Sequence, residues 1–234
     1  MDMSLSIISP TTGKDSLFAL IESIIKQKNS IPIVHYLIWD DKREGKFINE
    51  MKPDDIGTDI KWGSGYIINN IVLKGKRIKG EALGSSLRAI GLISADSELV
   101  TFADDDITWE ANHVETMLPM FQTSLWGFCK RRIWTTDNKI ECLGVDNFES
   151  VGEDAKTPYK MVDNNCMMFR RELGVSAAPL YRETKYYNDD RQMYAFLKQY
   201  AGEAGKTNQP TVNQICPERL ISFFRTNCTP EKNA

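Results

Sequence analysis

The amino-acid sequence predicts an α/β fold: a mostly parallel central sheet flanked by helices. Three observations carry that prediction. Apolar runs at residues 5–9, 33–39 and 99–103 are short and continuous, as in strands buried on both faces. Stretches with helical spacing alternate with them, which is the β-α-β rhythm of a parallel sheet. The second and third runs lead directly into aspartates, Asp40-Asp41 and Asp104-Asp105-Asp106, at strand ends where α/β sheets bind ligands.

Each element has its own signal. Residues 5–9 form a first strand ended by Pro10. Leu17, Leu20, Ile21, Ile24 and Ile25 then recur at helical spacing, with Asp15 or Ser16 as N-cap. A Lys-rich connection follows the second strand, then a weaker strand near residues 66–73 and a helix over residues 81–95. In the second half, residues 125–133 and 140–145 read as strands separated by Asp137-Asn138, and residues 146–158 read as a mobile polar loop. A short apolar stretch at residues 166–169 leads into Arg170-Arg171. Met193, Phe196, Leu197 and Tyr200 mark an amphipathic helix from Asp189, closed by Gly202 and Gly205. Beyond Asn208 only residues 220–224 look amphipathic, and the end is expected to fray. There is no internal repeat or linker, so residues 1–234 are expected to form one domain.

Composition narrows the function. With 41% hydrophobic and 26% charged residues, the chain is an ordinary globular protein. A net charge of −3 gives no basic field for nucleic acid. No apolar run reaches the ~18 residues of a spanning helix, and the opening MDMSLSIISP lacks a signal-peptide pattern, so a cytoplasmic protein is expected. Five dispersed cysteines without a CxxC pair fit a reducing compartment, and two histidines argue against structural zinc and His-based nucleophilic catalysis.

The chemistry concentrates in the aspartates. Unit charges about 4 Å apart repel by roughly 4 kcal/mol at an effective dielectric of 20. The Asp104-Asp105-Asp106 triplet therefore calls for a hard divalent cation, Mg²⁺ or Mn²⁺, although a solvated acidic turn explains the same residues. Asp40-Asp41 would accept hydrogen bonds from a base or ribose, or simply end a strand. Asp189-Asp190 would supply a general base, or cap a helix. Arg88, on the helix before the triplet, would clamp a diphosphate. Arg170-Arg171 and Lys130-Arg131-Arg132 read as surface charge, any one of which would also suit an anionic ligand.

In order along the chain, SIISPTTGKDSLFALIESIIKQ, IVHYLIWDD, GSSLRAIGLISADSELVTFADDDITWEANHVETM, NNCMMFRREL and YYNDDRQMYAFL resemble the segments of GT-A glycosyltransferases, most closely the family 2-like enzymes, over roughly residues 4–201. The resemblance implies a nucleotide-sugar-binding half over about residues 1–106, an acceptor half over 107–205 and a C-terminal tail. It implies that Pro10 and Thr11 line the nucleotide, that Asp40 or Asp41 binds the base, and that Arg88 and Asp105 support the donor subsite. Asp104 would contact ribose or metal, and Asp106 would hold Mn²⁺ or Mg²⁺ on the diphosphate. Asp190, with Asp189 as alternative, would deprotonate the acceptor hydroxyl, giving inversion. The partners implied are a nucleotide-diphosphate sugar and a glycan or lipid-linked glycan, with no nucleic acid and with room for peripheral membrane contact at residues 220–224. The family's usual Arg-Asn pair is Arg88-Ala89 here, and its Glu-Asp pair is Asp189-Asp190. A sugar nucleotidyltransferase and a non-catalytic nucleotide-sugar-binding module are the alternatives. The first fits poorly because SPTTGKDS carries one glycine and one lysine rather than a Gly-rich basic loop.

Overall fold

The computed structural model describes residues 3–28, 31–39, 60–62, 65–73, 84–135, 140–155, 160–181 and 188–230. The α/β class holds. Four strands, β1 (Leu5–Thr11), β2 (Ile33–Trp39), β4 (Tyr66–Val72) and β5 (Leu99–Phe102), form a parallel unit in the order β4-β2-β1-β5, with β3 (Ile60–Trp62) antiparallel at its edge. β1, β2 and β5 are buried along almost their whole length, whereas β4, with Asn69 and Asn70 at its centre, is buried at alternate positions. Helix α1 (Ser16–Ile25) buries Leu17, Leu20, Ile21 and Ile24, and α2 (Ser85–Ser94) packs on β1 and β2. Asp15 occupies the N-cap position of α1, without a capping bond from its side chain.

Beyond β5 most new strand pairs are antiparallel, so the sheet is parallel in its first half and mixed overall. In order come β6 (Ile107–Trp109), α3 (His113–Met117), β7 (Trp126–Thr135), β8 (Glu141–Asp146), β9 (Ser150–Gly152), β10 (Met161–Val162) and β11 (Met167–Arg170). There follow α4 (Arg171–Ala177), α5 (Asp189–Ala201), β12 (Gly205–Ile215), α6 (Ile221–Asn227) and β13 (Cys228–Thr229). The sheet runs β13-β8-β7-β11-β5-β1-β2-β4-β3, with β12 bridging β6 and β7. Most core side chains form one cluster between sheet and helices, and Ile133, Cys216, Ile221, Phe224 and Cys228 form a smaller one near the C-terminus.

Several expectations change. Pro10 does not end β1, which continues to Thr11. β5 stops opposite Ile8, so β1 needs no second hydrogen-bonded neighbour at Pro10. The described part of the expected mobile loop is ordered. Asp146 is 0% exposed, accepting hydrogen bonds from Arg131 Nε at 2.8 Å and from the Phe148 amide at 2.7 Å, and β9 pairs with β10. Gly205 opens β12 rather than closing α5, and the tail carries an eleven-residue strand and a helix packed on β8. Tyr200, expected on the buried face of α5, is 63% exposed, and Tyr194 is buried instead.

Helix α2 sits close enough to β1 that only glycine fits at position 91. A Cβ there would run into Ile8, with Cγ1 at 3.1 Å. Gly91→Ala is therefore expected to destabilise the protein by about 1–3 kcal/mol, read as a fall of about 1 M in the urea midpoint.

Candidate active site

The site lies at the carboxyl ends of β1 and β5, where α2 and α5 also begin. Because β5 ends at Phe102, its next residues leave the sheet, and the three aspartates meet different surroundings. The two oxygens of Asp104 are both engaged: Oδ1 pairs with Arg88 Nη2, and Oδ2 accepts from Asn165 Nδ2 at 3.1 Å. Asp105 is buried and turns toward β1, accepting from Thr11 Oγ1 and from Lys14 Nζ, each at 2.9 Å. Asp106 is different. Its Oδ1 is buried without a hydrogen-bond partner among the described residues. Burial first, then the Asp104 carboxylate, push its carboxyl up to about 7 against the pull of Lys14.

The loop after β1 is held by the same residues. Thr11 Oγ1 accepts from the Gly13 amide at 2.9 Å while donating to Asp105, and Gly13 takes a φ of 82° that favours glycine. Thr11 thus anchors the triplet, and Pro10 precedes it at the strand end. Arg88 reaches the site because position 84 is glycine: a Cβ there would lie 2.6 Å from Arg88 Nη1. Burial works against the Arg88 cation, yet Asp104, Asp190 and Asp189 together hold its proton above the ordinary range. Its guanidinium also lies 5.8 Å from the centre of the Phe102 ring.

The Asp189-Asp190 pair opens α5 and faces this guanidinium. Asp189 Oδ2 accepts from Ser85 Oγ, tying the starts of α2 and α5 together, and its Oδ1 is buried without a partner among the described residues. Burial pushes the Asp189 carboxyl upward, opposed by Ser85 and Arg88. Asp190 Oδ1 accepts from the Asn164 amide at 3.2 Å. Burial first, then the negative charge of Asp163, push Asp190 up to about 8, against Arg88.

The sequence-predicted residues Pro10, Thr11, Arg88, Asp104, Asp105, Asp106, Asp189 and Asp190 thus lie around one region. Asp40 and Asp41 follow β2 and lie outside the described residues. Asn165, Asp163, Arg131, Lys14 and Ser85 were not singled out as site residues. For Asn165 the available signal was a run of short polar residues, Asp163-Asn164-Asn165, before an apolar strand. The surface reading of Arg131 is corrected. It is 1% exposed and pairs with Asp146, Glu149 and Asp163. Arg170 and Arg171 serve structure, binding Glu98 and the Ala95 carbonyl.

The arrangement of strands and helices is a GT-A-like fold, shared with the solved structures that match it. No protein-family model matches the chain, and neither does any curated protein sequence. Among solved structures, S. aureus TarS 1-349 matches with a TM-score of 0.63 at 15% identity, covering 98% of this chain and 67% of that one. Its complex with UDP-GlcNAc matches with a TM-score of 0.63 at 14% identity, over 92% of this chain and 59% of that one. The complex with UDP gives the same score and identity over 95% and 63%. The chain therefore spans between 59% and 67% of those TarS 1-349 chains. No helix among the described residues is long and apolar enough to cross a membrane.

The raised carboxyls have a consequence for stability. Asp106 and Asp190 keep protons in the folded chain at pH values where the unfolded chain, titrating near 3.8, has released them. The stability this contributes is full below about pH 4 and is lost as pH rises through about 7 and 8. Melting temperature is therefore expected to fall from pH 5 to pH 8. Asp106→Asn should melt above wild type at pH 8, by about 2–4 °C for each ~1 kcal/mol of repulsion relieved, with the gap closing at pH 5.

Proposed function

We propose that the protein is a metal-dependent glycosyltransferase that moves a sugar from a nucleotide-diphosphate donor to a hydroxyl of a glycan or lipid-linked glycan, with inversion. The observation that supports this most is the convergence on Arg88 of Asp104, Asp189 and Asp190, beside the unpartnered Asp106, on a fold shared with a protein crystallised with UDP and UDP-GlcNAc. A carboxylate dyad facing a cation across a strand end suits a reaction that builds negative charge on one side and takes a proton on the other.

The residues present fit a divalent ion through Asp106. It is a hard oxygen donor, its Oδ1 has no hydrogen-bond partner among the described residues, and burial together with neighbouring negative charge holds its proton in place, a burden that a cation would lift. Asp104 already accepts from Arg88 and Asn165, so Asp106, with its unpartnered oxygen, would be the main ligand and Asp104 a further one. Among the described residues no group of three His, Cys, Asp or Glu is gathered as a metal cage. A bound Mn²⁺ or Mg²⁺ would supply Lewis-acid stabilisation of the departing nucleoside diphosphate.

The protein's own groups do the rest. Arg88 adds fixed positive charge beside the donor, and its pairing with Asp104 keeps it there. Lys14 and Thr11 hold Asp105 turned toward β1, which leaves Asp106 as the carboxylate of the triplet with an unpartnered oxygen. Asp190, pushed up to about 8, would accept the acceptor's proton in its ionised form, which becomes the major form above that pH, and attack opposite the leaving group would invert the anomeric centre. Asp189, tied to Ser85, is the alternative base.

Thermal unfolding against nucleoside diphosphates and their sugars, with and without Mn²⁺, tests this reading. A ligand at about 100 times its Kd adds roughly 2.7 kcal/mol, a rise of about 5–10 °C for a chain of this size. The metal-dependent part should vanish in Asp106→Ala, and absence of any shift would leave a protein that keeps the fold without the donor site. Asp190→Asn should lower sugar transfer by at least about 100-fold while the nucleotide-induced shift persists. If Asp189→Asn alone abolishes transfer, the base is assigned to Asp189. A product of retained configuration by NMR would exclude the single displacement.

A further inference from the structure

We propose that the turn Asp163-Asn164-Asn165, anchored by the buried Arg131, is a positioning device for the two acidic centres of the site, and that Asn165 sets the orientation of Asp104. This rests on the glycosyltransferase reading, in which Asp104 belongs to the donor subsite and Asp190 to the acceptor side.

The turn touches both centres with different atoms. Asn165 Oδ1 accepts from the Asp104 amide at 2.7 Å while its Nδ2 donates to Asp104 Oδ2 at 3.1 Å. One planar amide therefore holds the backbone and the carboxylate of the same residue, using one acceptor and one donor. Next to it, the Asn164 amide donates to Asp190 Oδ1 at 3.2 Å. Asn164 is itself held by Tyr181, whose hydroxyl donates to its Oδ1 at 2.7 Å. Both asparagines are buried, so no water is needed to complete these links.

The conformation of the turn is fixed from behind. Asp163 Oδ1 accepts from the Asn165 amide at 2.9 Å, and the Asp163 carbonyl accepts from the Cys166 amide at 2.9 Å, closing a single 3₁₀ turn. Asp163 Oδ2 accepts from Arg131 Nη1. The Arg131 guanidinium also donates to Asp146 at 2.8 Å, to Glu149 at 2.7 Å and to Gln214, joining β7, β8 and β12. A buried guanidinium is costly to desolvate unless its donors are used, and these bonds satisfy Nε, Nη1 and Nη2. The path from Arg131 through Asp163 and Asn165 to Asp104 consists of hydrogen bonds within groups that have little freedom to rearrange.

Asparagine is the only residue of its size that can play this part at position 165. Aspartate has the same shape but no donor, so it would set a second carboxylate against Asp104 Oδ2. That makes a test in which chemistry and packing give opposite orders. Wild type, Asn165→Ala and Asn165→Asp are compared by calorimetric titration with the nucleoside diphosphate that stabilises the wild type in the thermal panel, with melting curves as the control for folding. Positioning of Asp104 predicts affinity in the order wild type, Ala, Asp, with Asp weakened about 10- to 100-fold. A purely structural side chain predicts that Ala, which leaves a cavity, is the worse binder and that the isosteric Asp binds like wild type. Arg131→Lys, which keeps the charge but loses the fork, should weaken the same binding several-fold, and it carries the test if Asn165→Asp fails to fold. Equal affinity across the variants, or Ala below Asp, overturns the positioning role alone. A wild type that binds no nucleoside diphosphate overturns the glycosyltransferase reading, and this role with it.

Discussion

Repulsion among the carboxylates at the end of β5 is the constraint around which this molecule is arranged. Asp104, Asp105, Asp106, Asp163, Asp189 and Asp190 crowd one region, and charges a few ångströms apart in a partly dry site cost several kcal/mol unless each is answered. The fold answers most of them with a separate partner. Arg88 takes Asp104, Lys14 and Thr11 take Asp105, Arg131 takes Asp163, and Ser85 takes Asp189. Asp106 and Asp190 are left under strain, and both hold their protons to unusually high pH. Carboxyls perturbed in this way, beside others held by their own partners, mark the region as a candidate for chemistry.

The partners come from elements far apart in sequence, which ties the site to the whole sheet. Lys14 comes from the loop after β1, Arg88 from α2 and Arg131 from β7. Arg88 is placed by packing as well as by charge. Gly91 lets α2 settle on Ile8 of β1, Gly84 clears a path for the Arg88 side chain, and Phe102 lies beneath its guanidinium. Phe102 also contacts Phe169 and Tyr181, with ring centres 5.9 and 5.3 Å apart, so the apolar floor of the site is continuous with the core. Tyr181 in turn donates to Asn164. Apolar packing and the polar framework thus share residues, and loosening one loosens the other.

A second buried polar chain runs under the first strands. His35 sits between Ser9 and Tyr66, each at 2.7 Å, and Ser9 donates onward to the Ala103 carbonyl immediately before the triplet. Because the single Ser9 proton goes to Ala103, His35 Nε2 carries a hydrogen and Nδ1 accepts from the Tyr66 hydroxyl. Burial keeps this imidazole neutral, pushing its pKa down to about 3. The network links β4, β2, β1 and the end of β5, which fixes where the aspartates leave the sheet.

The sequence by itself determined the parallel half of the fold and the identity of the acidic motifs. Strands buried on both faces must be continuously apolar, amphipathic helices must repeat at their own spacing, and adjacent aspartates at strand ends stand out against both patterns. Pairing among distant residues was decided only by the tertiary structure. Arg131 reads as surface charge beside Lys130 and Arg132, yet its partners lie on β8, on β12 and in the turn before β11, and no local pattern announces them. Residues 146–155 and β12 were illegible for a related reason. Some of their polar side chains, Asp146, Ser150 and Thr211 among them, are buried, and composition does not distinguish these from polar groups that face water. Asn165 became a site residue only when β11 was laid antiparallel beside β5, because its amide has meaning solely in relation to the aspartate it faces.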